Sequence, residues 1–231
     1  MKIVFIHGSG GTGRVWKYQT EHFAGSLATT LPGHPDGTPC GTIEEATRWL
    51  RSELARDAGP EPLVLVGHSL GGAIALQYAL DHGDEIVGIV LVGSGARLRV
   101  HPATLDALEK MIDQPESFPK MMADSYRKVS PQFADELQAL SVTLGPAPFL
   151  NDLRACDRFD VIERLGEIEI PVLAIVGTED VMTPPKYATF LEGRISKASV
   201  HIIDGGTHYV FAEYPDDVNQ AIAGFADSLA E

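Results

Sequence analysis

Gly67-His68-Ser69-Leu70-Gly71-Gly72 sets one serine between glycines at G-x-S-x-G spacing. An apolar run at 63–66 precedes it and a helix-forming run at 73–80 follows. That order of strand, tight turn and helix puts a serine hydroxyl at a helix N-terminus, where free N–H groups favour developing negative charge. Gly67 and Gly71 stand where a Cβ would collide with neighbouring chain. A chance glycine-rich turn is the competing reading, and the flanking elements disfavour it. The chemistry implied is nucleophilic attack by Ser69.

A serine hydroxyl needs a positioned base, and the chain offers eight histidines. In the G-x-S-x-G arrangement nucleophile, acid and base follow in that chain order, which leaves His201 and His208. His201 lies inside a strand-like run, whereas His208 follows Gly205-Gly206-Thr207 just beyond it, at the edge where parallel sheets gather their ligand chemistry. His208 is the base expected here. Gly177-Thr178-Glu179-Asp180 follows another strand-like run, and Asp180 is the better partner to orient the imidazole, with adjacent Glu179 kept as the alternative. For the oxyanion, backbone N–H groups of Leu70 and Ser9 are expected, the latter in the loop His7-Gly8-Ser9-Gly10-Gly11-Thr12-Gly13. That loop lacks the G-x-x-x-x-G-K-[ST] pattern of a phosphate cradle.

These residues need a scaffold that delivers them to one edge. Short apolar runs predict strands at 2–6, weakly at 27–30, and at 63–66, 86–92, 172–176 and 199–203. Between them Ile43, Ala46, Leu50 and Leu54, and later Val218, Ile222, Phe225 and Leu229, recur at helical spacing. This alternation predicts a parallel sheet with helices on both faces. No strand-like run occurs at 96–159, where three short helices punctuated by prolines predict a helical cap inserted into a core of 1–95 and 160–231, all within a single domain.

Eighteen Lys and Arg against 32 Asp and Glu give a net charge of −14, which argues against nucleic acid and membrane as partners. Four apolar residues after Met1-Lys2 are too few for a signal core or a membrane span, so a cytoplasmic location is expected. Cys40 and Cys156 lie far apart without metal-ligand spacing and read as reduced thiols.

His-Gly at 7 and 8, Leu-Pro-Gly-His at 31–34, the elbow at 67–71, Gly-x-x-Asp ending at 180, and His208 together resemble the α/β-hydrolase family over nearly the whole chain. The resemblance implies an α/β fold, a three-layer sandwich with a mostly parallel sheet of about six strands under a helical cap, and no metal or organic cofactor. Here Thr30 stands where Asp is common and Pro35 where Gly is common. Serine at the elbow argues against dehalogenase and epoxide hydrolase chemistry.

The expected activity is hydrolysis of small to medium apolar carboxylic esters through an acyl-serine, by a monomer or homodimer acting on a small molecule. Met121, Met122, Tyr126 and Phe149 of the cap are candidates for the substrate pocket, and Arg97 or Arg99 for a substrate carboxylate. A carbon–carbon hydrolase or lyase of the same fold, or a hydrolase-like ligand receptor, are the alternatives. Fold alone does not choose among them.

Overall fold

Val- and Ile-rich runs, stiff at χ1 and suited to a sheet covered on both faces, form six strands in a computed structural model that describes residues 1–230. They are β1 (Lys2–Ile6), β2 (Leu27–Thr29), β3 (Leu63–His68), β4 (Gly88–Val92), β5 (Val172–Gly177) and β6 (Ala198–Ile203), in the order β2-β1-β3-β4-β5-β6. Every neighbouring pair is parallel. β2 is short and only partly buried, in keeping with its weak sequence signal.

Alternate residues of the central strands feed two separate cores. Ile6, Leu65, Leu91 and Ala174 pack on one face with Ile43, Leu50, Ile74 and Leu191. These belong to α2 (Ile43–Asp57), α3 (Leu70–His82) and α8 (Pro185–Glu192). Phe5, Val66, Val90 and Ile175 pack on the other face with Trp16, Phe211, Val218 and Ile222. That side carries α1 (Lys17–His22), α9 (Val210–Glu213) and α10 (Pro215–Ser228). The result is a three-layer α/β sandwich.

Between β4 and β5 the chain leaves the core at Arg97 and returns at Asp160, two residues paired antiparallel. The intervening segment holds four helices, α4 (Pro102–Asp113), α5 (Phe118–Ser125), α6 (Pro131–Leu144) and α7 (Pro146–Arg158), where three were expected. Proline sits in the first turn of each, where its missing N–H is no loss. The additional helix is α7. Its buried face includes Asp152 beside Phe149, Leu153 and Cys156, so a polar residue interrupts the apolar stripe that periodicity would detect. Leu108, Phe118, Met122, Phe133, Leu137 and Phe149 join the second core, so the helical segment packs continuously with the sheet.

The fold delivers the elbow through backbone contacts too close for a side chain. A Cβ on Gly67 would lie 2.1 Å from the Gly71 carbonyl oxygen, and one on Gly71 2.3 Å from that of Ile6. Gly67→Ala is therefore expected to destabilise the protein by about 3 kcal/mol, the upper range for overpacking. Exposed Gly224 in α10 has open space around it, so Gly224→Ala should stabilise by about 0.5–1 kcal/mol. Urea unfolding of both variants checks the contrast.

Candidate active site

Ser69 occupies the junction of β3 and α3 with φ 52° and ψ −112°, the one non-glycine residue at positive φ among the described residues. Such a conformation costs about 1–3 kcal/mol and persists only where neighbours enforce it. Here the Ser69 N–H donates to the Val92 carbonyl at 2.9 Å, and the Ser94 hydroxyl donates to the Ser69 carbonyl at 2.8 Å. Gly72 N–H and Ala73 N–H also donate to that carbonyl. The bend is thereby fastened to β4 on one side and to its own helix on the other.

Asp180 and His208 arrive on the loops after β5 and β6, side by side in the sheet. His208 Nδ1 and Asp180 Oδ2 are 2.9 Å apart in a buried pair. Backbone N–H groups of Met182 and Thr183 donate to Asp180 Oδ1, and the Thr183 hydroxyl donates to Oδ2 at 2.8 Å. Burial alone would raise the Asp180 pKa, but the His208 contact and the Thr183 donors hold it below the usual value. The carboxylate is thus fixed as an acceptor for the Nδ1–H of His208, and Nε2 is the ring nitrogen it leaves free. Glu179, the alternative acid, is exposed and pairs with Lys128 at 2.6 Å.

Ser69 and His208 border the same two hollows, without a direct hydrogen bond between them among the described residues. The first hollow is also lined by Ser9, Val15, Tyr126, Phe149, Leu153 and Phe211. The second, beyond Leu153 and Met182, meets Leu98, Arg99, Cys156 and Tyr187. Ser9 lines the same hollow as Ser69, and Leu70 opens α3, where first-turn N–H groups have no helical partner. Of the four cap side chains expected at substrate, Tyr126 and Phe149 line the first hollow. Met122 is instead buried within the apolar core and Met121 packs partly buried against it, because α5 packs closely on α6. Arg97 faces Asp160 at 3.7 Å, whereas Arg99 donates to the Asp157 carbonyl at 2.8 Å on the rim of the second hollow.

Several contributors carry weaker sequence signals. Met182, two residues after Asp180, has the spacing of an Asx-type turn, and Thr183 follows it directly. Gly93, at φ 54°, lets the Asp180–His208 pair approach, since a Cβ there would meet both side chains at 3.2 Å. His68 is buried, and its Nε2–H donates to the His208 carbonyl at 2.9 Å, tying the elbow to the loop that bears His208. No cluster of three or more potential metal-ligating side chains occurs among the described residues. Nor is any described helix long and apolar enough to cross a membrane. Both cysteines are free thiols.

With this geometry the elbow, the Asp180–His208 pair and the glycine-rich loop define an α/β-hydrolase. Residues 3–221 match the alpha/beta hydrolase family, and the chain belongs to it. It is similar to a pimeloyl-(acyl-carrier protein) methyl ester esterase of Aeromonas hydrophila, 25% identical over 96% of this chain and 94% of that protein. A solved thermophilic esterase is 30% identical, covers 98% of this chain and 90% of its own, and superposes with a TM-score of 0.83. MenH from S. aureus, at 20% identity, shares the fold with a TM-score of 0.87 over 100% of this chain and 95% of its own.

Two further imidazoles flank the site. His7 accepts the Leu31 N–H at Nε2 and donates from Nδ1 to the Gly8 carbonyl. Burial, reinforced by nearby His34, lowers its pKa from 6.5 to about 4, and burial also drives the His68 value well down. A depressed imidazole supports the fold fully above its unfolded value of 6.5, and that support is lost as pH falls through the folded value. Stability should therefore decline between pH 6.5 and 4, with a His7 titration midpoint near 4 by NMR. A His7 midpoint at 6.5 contradicts the packing described.

Proposed function

We propose that the protein is a serine esterase, hydrolysing small to medium, mainly apolar carboxylic esters through an acyl-Ser69 intermediate. The observation that carries this reading is a strained serine sharing a hollow with a histidine whose other nitrogen is held by a buried carboxylate. In the reaction His208 Nε2 takes the Ser69 proton as Oγ adds to the ester carbonyl. The resulting oxyanion lies toward the N–H groups of Ser9 and Leu70, donors of a kind worth about 3 kcal/mol each in the transition state. Collapse breaks the carbonyl–alkoxy bond, and His208 returns the proton to the departing alcohol. Water, deprotonated by His208, then attacks the acyl carbon and releases the acid with Ser69 restored.

Substrate polarity follows from the lining of the hollow. Val15, Phe149, Leu153 and Phe211 give it apolar walls, with Tyr126 as a further wall residue. The esterase names of the Aeromonas hydrophila relative and of the thermophilic structure support ester bonds as the target.

A series of p-nitrophenyl esters from acetate to decanoate should show turnover that falls at the longer chains. Ser69→Ala should abolish it, and equal turnover by both proteins would end the proposal. Asp180→Asn is expected to lower kcat about 10⁴-fold by removing the tautomer lock. Glu179→Gln should change kcat less than twofold, and a reversal of these two results would reassign the acid.

A further inference from the structure

The molecule holds a second buried histidine–aspartate pair that the ester mechanism does not use. His34, in the loop after β2, places Nε2 2.9 Å from Asp152 Oδ2 on α7, both side chains being at most 5% exposed. The other ring nitrogen of His34 faces the carbonyl oxygens of Leu31 and Pro32 at 3.2 and 3.3 Å. All three neighbours are acceptors, an arrangement that favours the doubly protonated ring. Burial alone would lower its pKa, yet the Asp152 contact and the two carbonyls raise it. The other titratable groups facing it, His7 edge-on at 4.9 Å and Cys40 across a small hollow, hold no opposing charge: the His7 pKa is lowered to about 4 and burial raises that of the thiol.

The same Asp152 oxygen accepts the Gly10 N–H at 2.9 Å. Gly10 follows Ser9 directly, and its φ of 64° is one that side chains rarely adopt. A Cβ there would lie 2.4 Å from Phe149, which sits one helical turn before Asp152 on the same face of α7. Phe149 thus walls the loop sterically while Asp152 grips it by a charge-assisted hydrogen bond. Gly11 N–H, closing back on the Gly8 carbonyl at 3.1 Å, completes the turn that directs the peptide group of Ser9.

We propose that Asp152, held by His34, is the positioning residue of the oxyanion loop, so that a helix of the inserted segment sets the Ser9 N–H for catalysis. The proposal rests on the esterase reading and deepens it. Asp152 touches neither ester nor nucleophile; its effect reaches the reaction through Gly10. Loss of the grip should weaken binding of the oxyanion while leaving binding of the ground-state ester intact, which is a kcat effect at constant KM.

The test uses Asp152→Asn and Asp152→Ala in the full chain, with folding checked by circular dichroism. On p-nitrophenyl butyrate kcat should fall about tenfold for D152N and about 100-fold for D152A, with KM within twofold. Affinity for an alkyl trifluoromethyl ketone, which forms a tetrahedral oxyanion adduct, should fall in the same ratios. By NMR the His34 midpoint should lie above 6.5 in the wild type and drop by a unit or more in D152N, and the Ser9 and Gly10 amide signals should move. Should D152A fail to fold, D152N and the wild-type titration still decide the matter. Wild-type kcat and ketone affinity retained within twofold in folded variants, a change confined to KM, or a wild-type His34 midpoint at or below 6.5 would each overturn the proposal. Absence of ester turnover in the wild type would instead remove the esterase reading, while the His34 titration and loop amides still report on the grip.

Discussion

Ser69 is held in a backbone conformation that an unconstrained serine would leave, and most of the surrounding architecture can be understood as what prevents it from leaving. The strain of about 1–3 kcal/mol is small beside domain stability, yet it would relax without rigid anchors on both sides. β3 and β4 supply them in adjacent register, through Val92 and Ser94, while Gly67 and Gly71 let β1 and α3 close in at distances that exclude any side chain. A second close approach repeats the device at the next strand pair. A Cβ on Gly177 would lie 2.1 Å from the Gly206 carbonyl oxygen, so the loops bearing Asp180 and His208 touch along their backbones. Parallel strands in sequence order β3-β4-β5-β6 thus deliver Ser69, Asp180 and His208 to one edge with the backbone itself as the spacer.

Around Ser69 the protein places two buried histidine–aspartate pairs with different tasks. In the pair of His208 and Asp180, one ring nitrogen is held by the carboxylate while the ring borders the hollow that Ser69 also lines. His34 and Asp152 have every ring nitrogen committed to an acceptor, which suits a fixed charge and not a proton carrier. His7 and His68 are kept neutral by burial and serve as hydrogen-bonding struts. Four imidazoles within one site therefore take three electrostatic roles, each set by what its nitrogens face.

The sheet was legible in the chain because its strands are apolar on both faces, a pattern that needs no partner to be recognised. The elbow was legible because its glycines answer a local steric demand, and the nearness of Asp180 to His208 because each follows one of two neighbouring strands by a few residues. What escaped were long-range polar contacts. The pairing of Asp152 with Gly10 spans 142 residues and that with His34 spans 118, and nothing local in α7 announces either. The same polar residue hid the helix itself. Met121 and Met122 illustrate the converse, since an adaptable apolar side chain suits a pocket wall and a packed helix pair equally well, and only tertiary context separates them.

The central claim is that the bend makes one hydroxyl, and no other, nucleophilic toward a carbonyl-like centre. Intact-mass analysis after treatment with a fluorophosphonate, followed by peptide mapping, measures this directly. A single adduct is expected, on the peptide containing Ser69, lost in Ser69→Ala and formed far more slowly in His208→Ala. An unlabelled wild-type protein, or an adduct mapped to Ser9, Ser94 or any other residue, would contradict it.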